Sequence, residues 1–384
     1  MSKNIKISLL LIATMGVMSG ITVVSSLPLI SKTFENIPHI EFLSKLLLTI
    51  PAIIIALFAP IAGIFVDRFG RLKPLYIGII LFVIGGSSGL YLDNFYLILI
   101  GRAILGISVA LIMTSSTALI GDYFNEKQRH KFMSIQGMAV AFGGIVFITL
   151  GGFLAEIHWS YPFGIYLIPL LFLPLLLTSL YEPEKHKEIE GDIEPTKLWK
   201  IYVTAYFAMV LFYLLPTQLP YLIINELQGV PSTVGVVIGL AMTFNALTSS
   251  QYSRLKAKLS YTQIYMVTFV LFGIGLLIIS QANNIHQLFY CTIFLGMGFG
   301  LILVNTNAWF LSQVPPHKRG KAGGILTSSF FFGQFSSPII FEPIVALYGI
   351  RGLFFVVSII SILISLSIYL YLHKKHNKKK HNKG

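Results

Sequence analysis

Apolar runs of roughly twenty residues recur along the whole chain, separated by short clusters of charge, proline, glycine and asparagine. They predict helices at about 7–30, 43–65, 75–92, 95–119, 132–155, 160–180, 201–224, 232–252, 262–281, 286–311, 322–347 and 351–372. Each is long enough to cross ~30 Å of hydrocarbon at about 1.5 Å per residue. In lipid the backbone must satisfy its own hydrogen bonds, which leaves helices as the fit for these runs. The pattern predicts an all-α membrane protein with twelve transmembrane helices and short loops.

Composition agrees. The 384 residues are 55% hydrophobic and 11% charged, with mean hydropathy +0.78, against about 25% charged in soluble proteins. The first run follows a short basic stretch, as in a secretory signal, but lacks a convincing cleavage site and precedes eleven others. It reads as a signal anchor that becomes span one. Of the 28 lysines and arginines, all but Lys32, Lys45, Arg102 and Arg351 fall in the N-terminal stretch, the tail and alternate loops. By the positive-inside rule both termini are cytoplasmic, in a multi-pass inner-membrane protein. The net charge of +13 is then a topology signal, and nucleic acid is not an expected partner. The single cysteine, Cys291, excludes a disulfide scaffold and a cysteine metal cluster. The tail's lysines and histidines suit anionic headgroups better than a metal.

Compared with itself at an offset near 190, the chain repeats. Arg129 and Lys131 match Arg319 and Lys321, Gly106 matches Gly296, and Gly143 matches Gly333. Ser25–Pro28 resembles Thr217–Pro220. The predicted units are a six-helix bundle over 1–181, a hydrophilic cytoplasmic linker over 182–199, a second six-helix bundle over 200–372 and a basic cytoplasmic tail over 373–384. Six plus six helices about a pseudo-two-fold axis is a transporter architecture.

After span two comes Gly63-Ile64-Phe65-Val66-Asp67-Arg68-Phe69-Gly70-Arg71-Leu72-Lys73. This loop resembles the signature of the major facilitator superfamily, Gly-x-x-x-Asp-Arg-x-Gly-Arg, departing at Leu72, where a second basic residue is common. Gly63 permits close helix approach, Asp67 caps span two, Gly70 allows a tight turn, and Arg71 can form a bidentate carboxylate pair. The resemblance implies that Asp122, at the end of span four, pairs there. It also implies that Asp67 faces the positive start of span eleven, so that Gly63, Asp67, Arg68, Gly70, Arg71 and Asp122 form a cytoplasmic gate. In the second half Ala257, Lys258 and Ser260 stand where Asp67, Arg68 and Gly70 stand in the first.

Span four carries Gly101-Arg102-Ala103-Ile104-Leu105-Gly106, similar to an arginine motif that superfamily exporters link to proton transfer. A lone intramembrane arginine is costly. Arg102 therefore faces a water-filled cavity or polar partner, or snorkels to the outer headgroups. Span five has Gly151-Gly152 but lacks the Gly-Pro pair of the superfamily's drug–proton antiporters, the members that the chain otherwise most resembles.

The architecture implied places spans one, four, seven and ten around a central cavity. Helical spacing then offers Ser19, Thr22, Ser26, Gly106, Val109, Met113, Tyr202, Tyr206, Met209, Tyr213, Thr217, Gln218, Asn305, Asn307 and Trp309. Aromatic, methionine and amide side chains suit small amphipathic molecules, though aromatics at this spacing equally pack helices. No carboxylate lies near mid-span. Glu342 and Glu156 are the deepest candidates for a raised pKa and proton coupling, beside an ordinary interfacial role.

No phosphate-binding loop is present, since Gly320-Lys321-Ala322 lacks its glycine spacing and hydroxyl. No catalytic residues, metal or cofactor are expected, and the chain is not expected to be an enzyme. The expected function is alternating-access transport by a monomer, with a small molecule, protons and lipid as partners. The resemblance implies proton-coupled efflux of amphipathic compounds or drugs. The alternatives are uptake or exchange of a polar metabolite, and a non-transporting sensor or assembly factor.

Overall fold

The computed structural model describes residues 3–183, 198–314 and 319–381, so most of the predicted linker and part of the loop before span eleven lie outside the described residues. The described chain is helical, with no strand. Eleven stretches are long and apolar enough to cross a membrane. Before the linker come α1 (Lys3–Ile21), α2 (Leu27–Thr33), α3 (Ile40–Phe69), α4 (Leu72–Gly86), α5 (Phe95–Tyr123), α6 (Glu126–Ile157) and α7 (Pro169–Ser179). After it come α8 (Trp199–Tyr221), α9 (Pro231–Lys256), α10 (Tyr261–Gln281), α11 (Ile285–Gln313) and α12 (Arg319–His381).

Span one is α1 and α2 joined by a 3-10 turn over Val24–Ser26, where Pro28 cannot continue the α1 ladder. Span six begins as a 3-10 turn over Tyr161–Leu167 before Pro169 opens α7. Elsewhere caps set the helix starts. The Asn94, Asn125 and Asn284 side chains each accept from first-turn amides, and Ser260 with Gln263 forms a capping box. Spans eleven and twelve are one helical stretch interrupted at Gly349, where φ +70 and ψ 177 are open only to glycine. That break falls where the apolar pattern divides them. The expected stop at 372 is not seen, because the helix runs on through the basic residues to His381.

The loop at Gly70, the end of α7 and the start of α1 share one end of the bundle, as the Glu182–Arg71 and Ser8–Ser179 bonds show. This is termed the linker end, and the opposite one the far end. α5 packs on α3 and α4, and α6 on α1; beyond the linker, α10 packs on α11 and α12, α11 on α9, and α8 on α12. The principal packing between the two sets is α6 on α9 and α3 on α12.

These contacts lie toward the far end. Every residue from Met18 to Pro28 is buried, as is every residue from Tyr213 to Ile223. Toward the linker end, Met113, Thr117 and Gly121 are exposed on one stripe of α5, and Asn307 and Leu311 on the repeat-related stripe of α11. The molecule is therefore sealed at the far end and parted at the linker end.

Replacing Gly349 with alanine adds no clash, since nothing lies within 4 Å of its missing Cβ; the cost is backbone strain alone. Gly349→Ala is expected to destabilise the protein by about 1–3 kcal/mol, read as a lowered Tm in detergent. An unchanged Tm would mean that the break is not held in this geometry.

Candidate functional site

Two ions meet across the far end. Lys45 of α3 is 1% exposed, and its Nζ lies 3.1 Å from Glu342 Oε2 of α12. An ammonium so withdrawn from water needs a counter-charge, and Glu342, one-third exposed, supplies it. Lys45 Nζ also stands 5.2 Å from the centre of the Tyr221 ring. The Tyr221 hydroxyl reaches Ser31 Oγ at 2.9 Å and donates to the Glu41 carbonyl at 3.2 Å. Residues from α2, α3, α8 and α12 thus form one polar seal. Alongside it, α6 crosses α9 on small residues. A Cβ on Gly152 would stand 2.9 Å from the Pro231 carbonyl, and one on Gly235 2.7 Å from the Ile148 carbonyl.

Arg102 is wholly buried just inside this seal. Its Nε donates to the Leu47 carbonyl at 2.9 Å, Nη1 to the Tyr166 hydroxyl at 2.8 Å, and Nη2 to the Ser19 carbonyl at 2.8 Å. Of the alternatives left by the sequence, a polar environment is the one realised. The guanidinium does not snorkel, and carbonyls and a phenol replace the water it has lost.

At the linker end Arg71 is the hub. Its Nε lies 3.0 Å from Asp122 Oδ2, its Nη1 3.3 Å from Asp67 Oδ1, and its backbone N–H donates to Glu182 Oε1 at 2.5 Å. Glu182 also accepts from the Leu72 N–H at 2.9 Å, which caps α4. Gly70 has φ +89, and a Cβ there would stand 2.7 Å from Glu182 Oε1, so glycine is needed for conformation and for space. These bonds lie within the first half and persist with the linker end open. The gate that the resemblance implies also has Asp67 facing the start of span eleven, where the side chains of 315–321 lie outside the described residues. No described group lies within 4 Å of a Cβ on Gly63, Gly323 or Gly324. Arg68 is exposed, 5.4 Å from the centre of the Phe69 ring.

The expected cavity residues divide into two levels. Met113 is exposed, and Tyr206 and Trp309 are half-buried toward the linker end, with Tyr206 5.8 Å from Phe332. Tyr213, Thr22, Ser26 and Gln218 lie in the buried zone. The Tyr213 hydroxyl and the Gln334 amide flank Gly20, whose Cβ would lie 2.7 Å from the hydroxyl and 3.8 Å from Gln334 Nε2. Thr22 donates to the Met18 carbonyl at 2.6 Å. Ser26 Oγ and both polar atoms of the Gln218 amide find no partner among the described residues. Asn305 is bonded within the second half, accepting from Tyr252 and donating to the Tyr261 carbonyl. Glu156 is exposed at the far-end rim of α6.

The family model for the Major Facilitator Superfamily matches residues 7–215 and again 201–384. The chain belongs to the Major Facilitator Superfamily. It is a transporter and not an enzyme. Among superfamily relatives it is 27% identical over 295 residues to Multidrug resistance protein 1 of Bacillus subtilis (strain 168), covering 73% of this chain and 75% of that protein. It is 22% identical over 295 residues to Quinolone resistance protein NorA of Staphylococcus aureus (strain COL), covering 74% and 76%. Its fold is similar to that of a bacterial homolog to the human lysosomal transporter Spinster, with TM-score 0.77, 18% identity and 96% of each chain covered. It is also similar to a D-xylose-proton symporter, with TM-score 0.75, 19% identity and 94% and 97% covered.

Sequence reasoning placed Lys45 at the outer side without a partner and passed over Glu182 as a linker residue. Lys45 within the first turn of predicted span two and Glu342 five residues before the end of predicted span eleven were the only signal, and neither names the other. The seal can be tested on Gly151, where a Cβ would stand 2.2 Å from the Thr22 carbonyl. In detergent, Ser26→Cys should label slowly with maleimide, and native Cys291 is itself 1% exposed. Gly151→Ala should raise that labelling several-fold, whereas an unchanged rate would detach Gly151 from the seal.

Proposed function

We propose that this transporter exports small amphipathic compounds by alternating access, coupled to protons, and that the linker end faces the cytoplasm. The observation that carries the reading is the matched pair of ends: a buried ionic seal at one and parted, repeat-related stripes at the other. A molecule enters the cytoplasmic opening between α5 and α11, closure brings α3 onto α12 at Gly63, and the Lys45–Glu342 pair separates to release it outside. The relatives named for multidrug and quinolone resistance favour efflux, and the aromatic and methionine side chains at Tyr206, Trp309 and Met113 suit amphipathic cargo.

The seal supports a gating role for Glu342. A proton carrier must load while the outer end is open and keep its proton through closure. Glu342 closes against the Lys45 side chain at 3.1 Å, which favours a gate over a carrier. Arg102, a guanidinium with donors and no acceptor, takes part in coupling only electrostatically. Gln218, with both amide atoms unpartnered in this state, is wetted when the outer end opens.

Two measurements test the reading. In proteoliposomes with an imposed proton gradient, amphipathic drugs should provoke a change of internal pH, while flux only with sugars or amino acids would replace efflux by uptake. Lys45→Met leaves Glu342 without its partner and should favour the outward-open state. Breaking a buried pair costs roughly 3–5 kcal/mol, and the lower end applies because Glu342 is partly hydrated. Ser26→Cys labelling should rise in Lys45→Met and fall back in Lys45→Met with Glu342→Leu; equal labelling in both would remove the pair from the gate.

A further inference from the structure

We propose that the central cavity selects its cargo by charge, taking amphipathic anions in preference to cations. The inference rests on the export reading above and names the substrate class of that same cavity.

The argument begins with the carboxylates. Among the described side chains every carboxylate lies toward one end or the other: Glu35, Glu41, Asp93, Glu156, Glu226 and Glu342 at the far end, and Asp67, Asp122 and Glu182 at the linker end. Glu342, the most deeply placed, is held by Lys45 at 3.1 Å, so the pair contributes no net charge to the space beneath it. Arg102 has no such neutralisation. Its hydrogen-bond partners among the described residues are the Leu47 and Ser19 carbonyls and the Tyr166 hydroxyl, all neutral. They satisfy its N–H groups and leave its unit charge intact in a medium that screens it poorly.

That charge stands over the top of the opening. Ser19, which accepts from Arg102, is three residues and about 4.5 Å of helix rise from Gly16. A Cβ on Gly16 would lie 3.8 Å from Met113 Sδ, and Met113 is the first exposed residue of the α5 stripe. Polar groups near this level include the Tyr213 hydroxyl and the Gln334 amide, which flank Gly20, next to Ser19. Both are neutral, and both can donate to an oxygen. A cation brought to this apex meets one fixed positive charge and no carboxylate among the described residues. A carboxylate or sulfonate meets the same charge and two neutral donors, while its apolar body rests on the aromatic and methionine side chains nearer the mouth.

The test is equilibrium dialysis of the purified full-length protein in detergent, corrected against empty micelles. The probes are tetraphenylborate and tetraphenylphosphonium, ions of matched size and opposite sign. A unit charge about 10 Å away at an effective dielectric of ~20 changes affinity by roughly tenfold in each direction. Tetraphenylborate is expected to bind at least tenfold more tightly than tetraphenylphosphonium. Met113→Glu, at an exposed site that tolerates a carboxylate, should erase or reverse the difference. Equal binding of the two ions by wild type, or tighter binding of the phosphonium, overturns the charge selection and leaves amphipathic export standing. Binding of neither ion, nor of neutral N-phenyl-1-naphthylamine, overturns the amphipathic reading and this inference together.

Discussion

Lys45 and Glu342 meet across the two sets of helices with the ammonium almost entirely withdrawn from water. Such a charge is tolerable only while its partner is in place, and the partner is 297 residues away on a different helix. The far end therefore resists partial opening. Either α3 and α12 stay together and the pair is satisfied, or they part far enough for water to reach both ions. Low dielectric turns a graded surface into a two-position one, and alternating access needs that property. The Tyr221 bonds to Ser31 and Glu41, and the glycine crossing of α6 on α9, depend on the same approach of the two sets.

What could be read from the sequence was what is local. Hydropathy placed the spans because a helix in lipid needs about twenty apolar residues whatever its neighbours are. The Gly70 turn was legible because a positive φ restricts residue type, and Asp122 was found through the superfamily resemblance. The repeat offset anticipated a symmetry that exposure now displays, with Thr117 on α5 and Asn307 on α11 both at the open end. The Lys45–Glu342 pair was not legible, since each residue alone looks like an ordinary interfacial charge. Asn305 shows the same limit from the other side. An amide on a presumed cavity helix looks like a cargo ligand until Tyr252 and Tyr261 are seen to occupy it. Amphipathic spacing says that a polar group must face something polar, and it does not say which helix supplies that group.

The second copy of the gating loop clarifies the first. Ser260 stands where Gly70 stands, and it forms a capping box with Gln263, a self-contained way to begin α10. Beside it Lys256 lies 4.1 Å from the centre of the Tyr261 ring, and the Tyr261 hydroxyl donates to the Ala308 carbonyl. Nothing in this turn asks for a carboxylate from another segment. The first copy instead gathers Arg71, Asp122, Asp67 and Glu182, drawing the end of α5 and the first residues after α7 onto one loop. That clasp makes the linker end of the first half rigid without reference to the second half.

A rigid first half and a two-position seal together define how the ends communicate. α3 carries both Lys45, in the closed seal, and Gly63, whose missing Cβ meets no described group at the other end. Eighteen residues separate them, about 27 Å of helix. α12 carries Glu342 at the seal and, toward the linker end, Gly323 and Gly324, which likewise meet no described group. A tilt of α3 against α12 about their middle would press Gly63 inward as it draws Lys45 from Glu342. Because both ends sit on the same two helices, one cannot close without straining the other. The glycines at the open end permit the close approach that closure demands, and the buried ammonium at the sealed end makes any intermediate tilt unfavourable.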